Sequence, residues 1–141
     1  MTNNLVYLSE DGVEFVACNR SDGLAVGMFK KAGFLQIILS TESNPVVVAR
    51  AKKLGLEVIN DCKDKKSALI SYCLENQIEL KRVIYIGNDI NDEAVMRIVG
   101  YPICPSDAHD RIKKIATYVT RAAGGGGVIR ELADLLLNSD D

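Results

Sequence analysis

Short apolar runs alternate with amphipathic segments along most of this chain, and this alternation restricts the fold more than any other feature of the sequence. Residues 34–39 and 83–86 are near-continuous apolar runs, which are typical of parallel strands covered on both faces. Pro45 begins an amphipathic segment that Gly55 closes. Strands and helices that alternate at this spacing predict an α/β fold with a doubly wound, mostly parallel sheet.

The whole chain fits one domain of this kind. Its 141 residues and 48% hydrophobic content suffice for a single core. Residues 5–8 and 13–16 flank an Asp11-Gly12 pair, which predicts a β-hairpin over residues 4–17 before an α/β core over residues 22–137. The pattern predicts helices at residues 22–32, 45–54, 65–76, 93–99, 108–116 and 128–137, and further strands at residues 56–59, 101–104 and 117–120.

Composition and charge argue against several functional classes. The net charge of −2 and the scattered Lys and Arg residues give no basic stripe for nucleic acid. No apolar run approaches the roughly 20 residues of a membrane-spanning helix, and no signal peptide follows Met1, so we expect a cytoplasmic protein. The four cysteines lack CxxC spacing and are expected to be reduced thiols, while a single histidine argues against zinc.

Three polar segments follow predicted strands and are expected to meet at one edge of the sheet. They are Ser40-Thr41, Lys65 and the acidic loop of residues 87–92. Carboxylate and amide oxygens of the loop suit Mg²⁺, and a hydroxyl beside an ammonium suits a phosphate. Taken singly, each segment has a simpler interpretation: a turn residue, a solvated lysine and a helix N-cap.

The order of these segments resembles that of the haloacid dehalogenase (HAD) superfamily of phosphatases. Ile38-Leu39-Ser40, Lys65 and residues 85–92 look like its second, third and fourth motifs, and Tyr118-Val119-Thr120-Arg121 and Gly124-Gly125-Gly126-Gly127 resemble its capless branch. That branch contains KDO 8-phosphate phosphatases and the C-terminal domains of acylneuraminate cytidylyltransferases. The resemblance implies an Mg²⁺-dependent phosphatase of a phosphorylated 2-keto-3-deoxy sugar acid, assembled as a homotetramer through the hairpin. It assigns catalytic roles to Lys65 and Ser40, substrate binding to Thr41, Asp22, Gly23 and His109, and metal binding to Asn88, Asp89 and Asp92.

The chain departs from the family pattern at its start. The first motif, Asp-x-Asp-Gly-Val, which supplies the nucleophile, is absent from residues 1–141. Residues 1–5 align with the family segment directly after that motif, so a truncated first core strand is favoured over a natural chain that works without it, and little activity is expected. Asn88 and Gly126 also replace the Asp and Arg common in relatives.

Two alternatives stay open on these observations. The first is a non-catalytic oligomerisation or regulatory domain of an acylneuraminate cytidylyltransferase. The second is a receiver-like or dinucleotide-binding domain, which is disfavoured because no GxGxxG follows the first strand and the Gly-rich segment at residues 124–127 lies too near the C-terminus.

Overall fold

The computed structural model describes residues 2–137, which form an α/β domain that begins with a hairpin. Its strands are β1 (Tyr7–Leu8), β2 (Glu14–Phe15), β3 (Ile37–Leu39), β4 (Glu57–Ile59), β5 (Ile84–Ile86), β6 (Tyr101–Cys104) and β7 (Tyr118–Val119). Its α-helices are α1 (Arg20–Lys31), α2 (Pro45–Leu54), α3 (Lys65–Glu75), α4 (Glu93–Met96), α5 (Asp110–Lys113) and α6 (Val128–Leu137). The predicted fold class and order of elements are confirmed.

The N-terminal hairpin forms where the Asp-Gly pair predicts it. Strands β1 and β2 pair antiparallel, and the Ser9 amide donates to the Val13 carbonyl at 3.0 Å. Gly12 adopts a φ of 77°, a left-handed conformation that glycine accommodates without steric cost. Each strand has only two paired residues, fewer than predicted, and both strands are exposed.

Capping residues explain where the long helices begin and end. Asn19 caps α1 by accepting from the Ser21 amide at 2.8 Å, so this helix starts two residues before the predicted Asp22. Helix α2 has the predicted bounds, because Asn44 caps its start and Gly55 adopts a left-handed φ of 65° at its end. Helices α4 and α5 are single turns of four residues each, shorter than predicted.

The parallel sheet consists of two hydrogen-bonded parts. Strands β3 and β4 pair in parallel, and β5, β6 and β7 form a second parallel ladder in that order. Within residues 2–137 no strand connects β3 to β5, so the parallel sheet consists of two separate ladders at this point. The apolar pattern identifies strands but does not specify which strands pair.

The two faces of the β5–β7 ladder support separate core clusters. Tyr85 and Cys104 face one cluster, which α3, α4 and α5 cover with Leu69, Met96 and Ile112. Ile103 faces the other, formed by α1 and α6; its buried members are Ala25, Phe29, Ile103, Leu132 and Ala133. Helices therefore cover both faces, as the doubly wound pattern requires.

All four cysteines are free thiols, and two of them, Cys73 and Cys104, belong to the first cluster. Burial raises the pKa of both buried thiols, so they remain protonated core side chains. In the described part of the chain, no helix has the length and apolar character needed to cross a membrane.

Candidate active site

Three loops meet at the carboxyl edge of the parallel strands. The loop after β3 contacts the loop after β5, because the Asn91 amide donates to the Thr41 hydroxyl at 3.4 Å. The start of α3 reaches the same loop, where Lys65 Nζ lies 2.6 Å from Asp92 Oδ1. The predicted convergence of a hydroxyl segment, a lysine and the acidic loop is therefore observed.

Lys65 and Asp92 form a buried ion pair beneath this edge. Their side chains are 10% and 3% exposed, so water screens their charges little. An ammonium has three N–H donors, and the pair with Asp92 uses one of them. The remaining donors give Lys65 the capacity to bind an anion while Asp92 fixes its position.

Tyr85 supports the same carboxylate from the core. Its hydroxyl lies 2.8 Å from Asp92 Oδ1, the oxygen that also accepts a hydrogen bond from the Lys65 ammonium. Burial raises the pKa of Tyr85 well above its ordinary value, and the neighbouring Asp92 charge raises it further. The phenol therefore stays protonated and donates its hydrogen to Asp92.

The acidic loop is folded around Asp92. Asp92 Oδ2 accepts from the backbone amides of Asn88 at 2.9 Å and Asp89 at 3.3 Å. Gly87 makes this approach possible, because a Cβ at that position would lie 2.6 Å from Asp92 Cβ and 2.7 Å from Met96 Sδ. Asp89 caps the following 3₁₀ turn by accepting from the Ile90 amide at 2.7 Å, so the capping role considered for this loop is real.

The donor set of the loop fits a magnesium ion. Mg²⁺ prefers hard oxygen ligands and commonly takes one or two from the protein, completing its shell with water and substrate phosphate. Asp89 supplies an exposed carboxylate and Asn88 a half-buried amide, whereas both oxygens of Asp92 already accept protein donors. Within residues 2–137 no three His, Cys, Asp or Glu side chains form a metal cluster by themselves, so the fit rests on Asp89 and Asn88.

The hydroxyl segment after β3 is held by the neighbouring strand. The Ser40 amide donates to the Ile59 carbonyl at 2.9 Å, and Ser40 Oγ accepts from the Glu42 amide at 3.1 Å. This second bond is the turn geometry expected of a serine in that position. The Ser40 hydroxyl proton is not used in it and remains available as a donor.

His109 joins the site through its backbone. Its amide donates to the Asn88 carbonyl at 2.9 Å, while Nδ1 accepts from the Arg111 amide at 3.2 Å as the cap of α5. The side chain is exposed. Its observed contacts are structural, and its predicted contact with substrate stays a prediction.

Asp22 and Gly23 lie elsewhere, where α1 contacts α6 and α2 respectively. Asp22 is 5% exposed and accepts from the Arg130 amide at 3.1 Å through Oδ1. A Cβ at Gly23 would contact Leu54 and Arg50 at 3.4 and 3.5 Å. These contacts join helices to one another and do not involve the Lys65–Asp92 pair, so the predicted substrate contact of Asp22 and Gly23 also stays a prediction.

Sequence reasoning included Tyr85 and Gly87 in the fourth-motif segment, residues 85–92, but assigned neither of them a role. Tyr85 lies within an apolar run whose pattern indicates only a buried strand. A tyrosine in a covered strand needs a partner for its hydroxyl, and the nearest acidic residues lie in the next loop. The need of a buried tyrosine hydroxyl for a hydrogen-bond partner was therefore the one signal in the sequence that pointed from Tyr85 to the acidic loop.

Comparison with protein families agrees with this geometry. The family model of haloacid dehalogenase-like hydrolases matches residues 29–132. A 3-deoxy-D-manno-octulosonate 8-phosphate (KDO 8-phosphate) phosphatase of Escherichia coli K12 is 33% identical over 138 residues, which cover 97% of this chain and 73% of that protein.

Solved structures agree as well. A HAD family protein from Streptomyces avermitilis has a TM-score of 0.96 and 43% identity, covering 98% of this chain and 79% of that one. The KDO 8-phosphate phosphatase of Moraxella catarrhalis, solved with magnesium, phosphate and KDO, has a TM-score of 0.92 and 30% identity, covering 97% and 79%.

Proposed function

Because this chain belongs to the haloacid dehalogenase-like hydrolase family, we propose that it is the phosphatase domain of an enzyme that hydrolyses a phosphorylated 2-keto-3-deoxy sugar acid such as KDO 8-phosphate. One observation carries the proposal: the buried Lys65–Asp92 pair lies where the loops after β3 and β5 meet. An ammonium held in this way is poised for a phosphoryl group, since two of its N–H donors remain for an anion. The phosphatase relatives supply the reaction class.

In this proposal each polar residue of the edge has a distinct task. The Lys65 ammonium balances the negative charge of the phosphoryl oxygens, and the Ser40 hydroxyl donates to one of them. Thr41 lies beside Ser40 and extends the binding surface. Asp92 is a positioning residue, because it fixes Lys65 and ties the loop amides of Asn88 and Asp89. A direct metal bond from Asp92 would have to displace these donors.

Asp89 and Asn88 would hold the magnesium ion. A bound Mg²⁺ supplies charge stabilisation for the phosphoryl oxygens. Asn88 would contribute a neutral amide oxygen, so the Asp89 carboxylate would supply the charged ligand. The solved relative from Moraxella catarrhalis contains magnesium and phosphate, which supports this cofactor.

We also propose that the chain assembles as a homotetramer through its hairpin. Tyr7, Leu8 and Phe15 are 70%, 67% and 59% exposed. Large apolar side chains clustered on a surface commonly mark a protein interface. Burial of this hairpin between copies would cover them.

A phosphate-release assay tests the reaction. The substrates are KDO 8-phosphate and its nine-carbon analogues with Mg²⁺, and the proteins are this chain and the same chain preceded by an Asp-x-Asp-Gly-Val strand. The family's nucleophile lies in that strand, so we expect a turnover of about 10 s⁻¹ from the extended chain, and roughly 10⁶-fold less from residues 1–141 alone. No phosphate release by the folded extended chain from any substrate would refute the proposal.

Two lysine variants make the assay specific to the site. Lys65→Met in the extended chain should lower kcat/KM by about 10²-fold or more, because it removes the ammonium from the phosphoryl site. Lys63→Met is the matched control, since Lys63 is an exposed lysine two residues away and should change kcat/KM little. Magnesium binding without phosphate release would favour the non-catalytic module.

A further inference from the structure

A closed ring of contacts runs from the acidic loop to α5 and back. The Asn88 amide donates to Asp92 Oδ2 at 2.9 Å, and the Asn88 carbonyl accepts from the His109 amide at 2.9 Å. His109 Nδ1 in turn accepts from the Arg111 amide at 3.2 Å. Arg111 Nη2 lies 2.7 Å from Glu93 Oε2, and Glu93 directly follows Asp92 in the chain, which completes the ring.

Glu93 is the point of the ring at which two arginines meet. Its Oε1 accepts from Arg97 Nη2 at 2.8 Å, and its Oε2 pairs with Arg111 of α5. The Glu93 side chain is 18% exposed, and the two arginines are 58% and 63% exposed. Ion pairs that share a carboxylate in a network contribute more than isolated surface pairs. The two arginines differ in one respect, because Arg97 lies four residues along the same segment whereas Arg111 joins α5 to α4.

The two helices that this pair joins are too short to hold their own positions. Helices α4 and α5 are single turns of four residues, and helices of this length have little stability without tertiary contacts. Ile112 anchors α5 in the core, where it is fully buried. The Glu93–Arg111 pair adds a contact to the residue directly after the acidic loop. Movement of α5 would carry the His109 amide away from the Asn88 carbonyl.

The position of Asn88 matters because of the chemistry of its side chain. An amide oxygen is neutral, and Mg²⁺ demands near-octahedral geometry from its ligands. Both backbone polar groups of Asn88 are bonded, the N–H to Asp92 and the C=O to His109. The ring therefore fixes the point from which the Asn88 side chain extends, and a group that is already ordered costs less to immobilise on binding.

We propose that Arg111 is a positioning residue for the magnesium site and that it acts through the ring on Asn88. This inference rests on the proposed function, which assigns the metal to Asp89 and Asn88. The positive charge of Arg111 opposes a nearby cation, so its contribution to magnesium binding is geometric and has the opposite sign. Loss of Arg111 should weaken magnesium binding, although loss of a positive charge would by itself strengthen it.

Magnesium titration of the intact chain tests this inference in the absence of substrate. The ¹⁵N-labelled amide shifts of Asn88 and Asp89, followed as MgCl₂ is added, give the dissociation constant. Arg111→Met should raise this constant about threefold, the size expected for one ion pair of a network. Arg111→Lys keeps a positive charge for Glu93 and should bring the constant back towards the wild-type value.

Arg97→Met is the matched control. It removes an equal charge from the same carboxylate but leaves α5 joined to α4. The dissociation constant should stay unchanged or fall, because the remaining effect is the loss of a positive charge near a cation. Hydrogen exchange of the His109 amide, measured without magnesium, should be about threefold faster in Arg111→Met and unchanged in Arg97→Met.

The outcomes separate this inference from the proposed function. Wild-type magnesium binding with an equal dissociation constant in Arg111→Met would overturn the inference alone, even with faster exchange of the His109 amide. An equal rise in Arg97→Met would also overturn it, because the link between α4 and α5 would then be irrelevant. A wild-type chain whose shifts do not respond to magnesium would overturn it together with the proposed metal site. None of these measurements uses phosphate release, which decides the reaction independently.

Discussion

At the scale of single residues, the geometry of the site depends on the hydrogen bonds that the Asp92 carboxylate accepts. Replacing Tyr85 with Phe removes the buried hydroxyl that donates to Asp92 Oδ1 at 2.8 Å. A hydrogen bond to a charged group contributes about 1.5 to 3 kcal/mol, and Lys65 remains on that oxygen to limit the loss. We therefore expect Tyr85→Phe to lower the free energy of unfolding by about 1 to 2 kcal/mol in urea denaturation.

The matched control is Tyr72→Phe. The Tyr72 hydroxyl donates to Glu57 at 3.3 Å on the exposed surface, so its removal should change the free energy of unfolding by less than about 0.5 kcal/mol. Equal effects of the two variants would contradict the support that we assign to Tyr85.

Sequence order alone predicted that Lys65 and the acidic loop would meet, because loops after parallel strands share an edge. The partner of the Tyr85 hydroxyl required the structure, since an apolar run does not reveal where a buried hydroxyl points.

At the scale of elements, Glu131 joins β7 to α6. Its carboxylate accepts from the Tyr118 hydroxyl and the Arg121 amide at 2.9 Å and from the Ala122 amide at 2.8 Å. Burial alone would raise the pKa of Glu131, but these hydrogen bonds lower it below the ordinary 4.5. The stability that Glu131 contributes is therefore present above that ordinary value and is lost as pH falls through the lowered pKa of the folded state.

Glu131→Gln should accordingly lower the free energy of unfolding by about 1 to 3 kcal/mol at neutral pH. Between about pH 5 and 3 the wild-type chain should lose more stability than this variant, measured by urea denaturation at each pH. Glu75→Gln is the control, because no side-chain hydrogen bond or ion pair of the exposed Glu75 is observed among residues 2–137. A wild-type loss no steeper than that of Glu131→Gln would contradict the role of this carboxylate.

The sequence predicted the type of every strand and α-helix of the described residues but not all of their lengths. Helix α2 has its predicted bounds because Pro45 and Gly55 are strong local signals. Helix α1 begins earlier than predicted because Asn19 caps it, and caps are set by side-chain hydrogen bonds that periodicity does not report. Helix α4 keeps its predicted start and ends three residues early, and α5 begins after the His109 cap and ends at Lys113.

At the scale of the whole molecule, the pairing of strands was beyond sequence reasoning. Residues 34–39 and 83–86 have the same apolar pattern, yet among residues 2–137 each pairs on one side only, with β4 and β6 respectively. Edges of this kind are prone to pairing with other chains. The exposed hairpin is likewise a surface through which the molecule is expected to meet other polypeptides.

The exposed apolar face of the hairpin leads to a prediction about how the chain assembles. Tyr7 and Phe15 are directly opposite each other across the two strands and together present an exposed apolar face. We expect sedimentation equilibrium to give a mass of about four chains for the wild type, because burial of this face contributes about 25 cal/mol per Å² of apolar surface. The double variant Tyr7→Ser with Phe15→Ser should sediment as smaller species.

Leu74→Ser is the control for this assembly, since Leu74 is a 75% exposed apolar residue on α3, far from the hairpin in sequence. It removes a comparable amount of exposed apolar surface and should leave the mass unchanged. Far-ultraviolet circular dichroism would establish that the double variant keeps its helices, because the hairpin contributes only two paired residues per strand to the fold. A wild-type chain that is folded and strictly monomeric would contradict assembly through the hairpin, and a mass that falls equally in both variants would place the interface elsewhere.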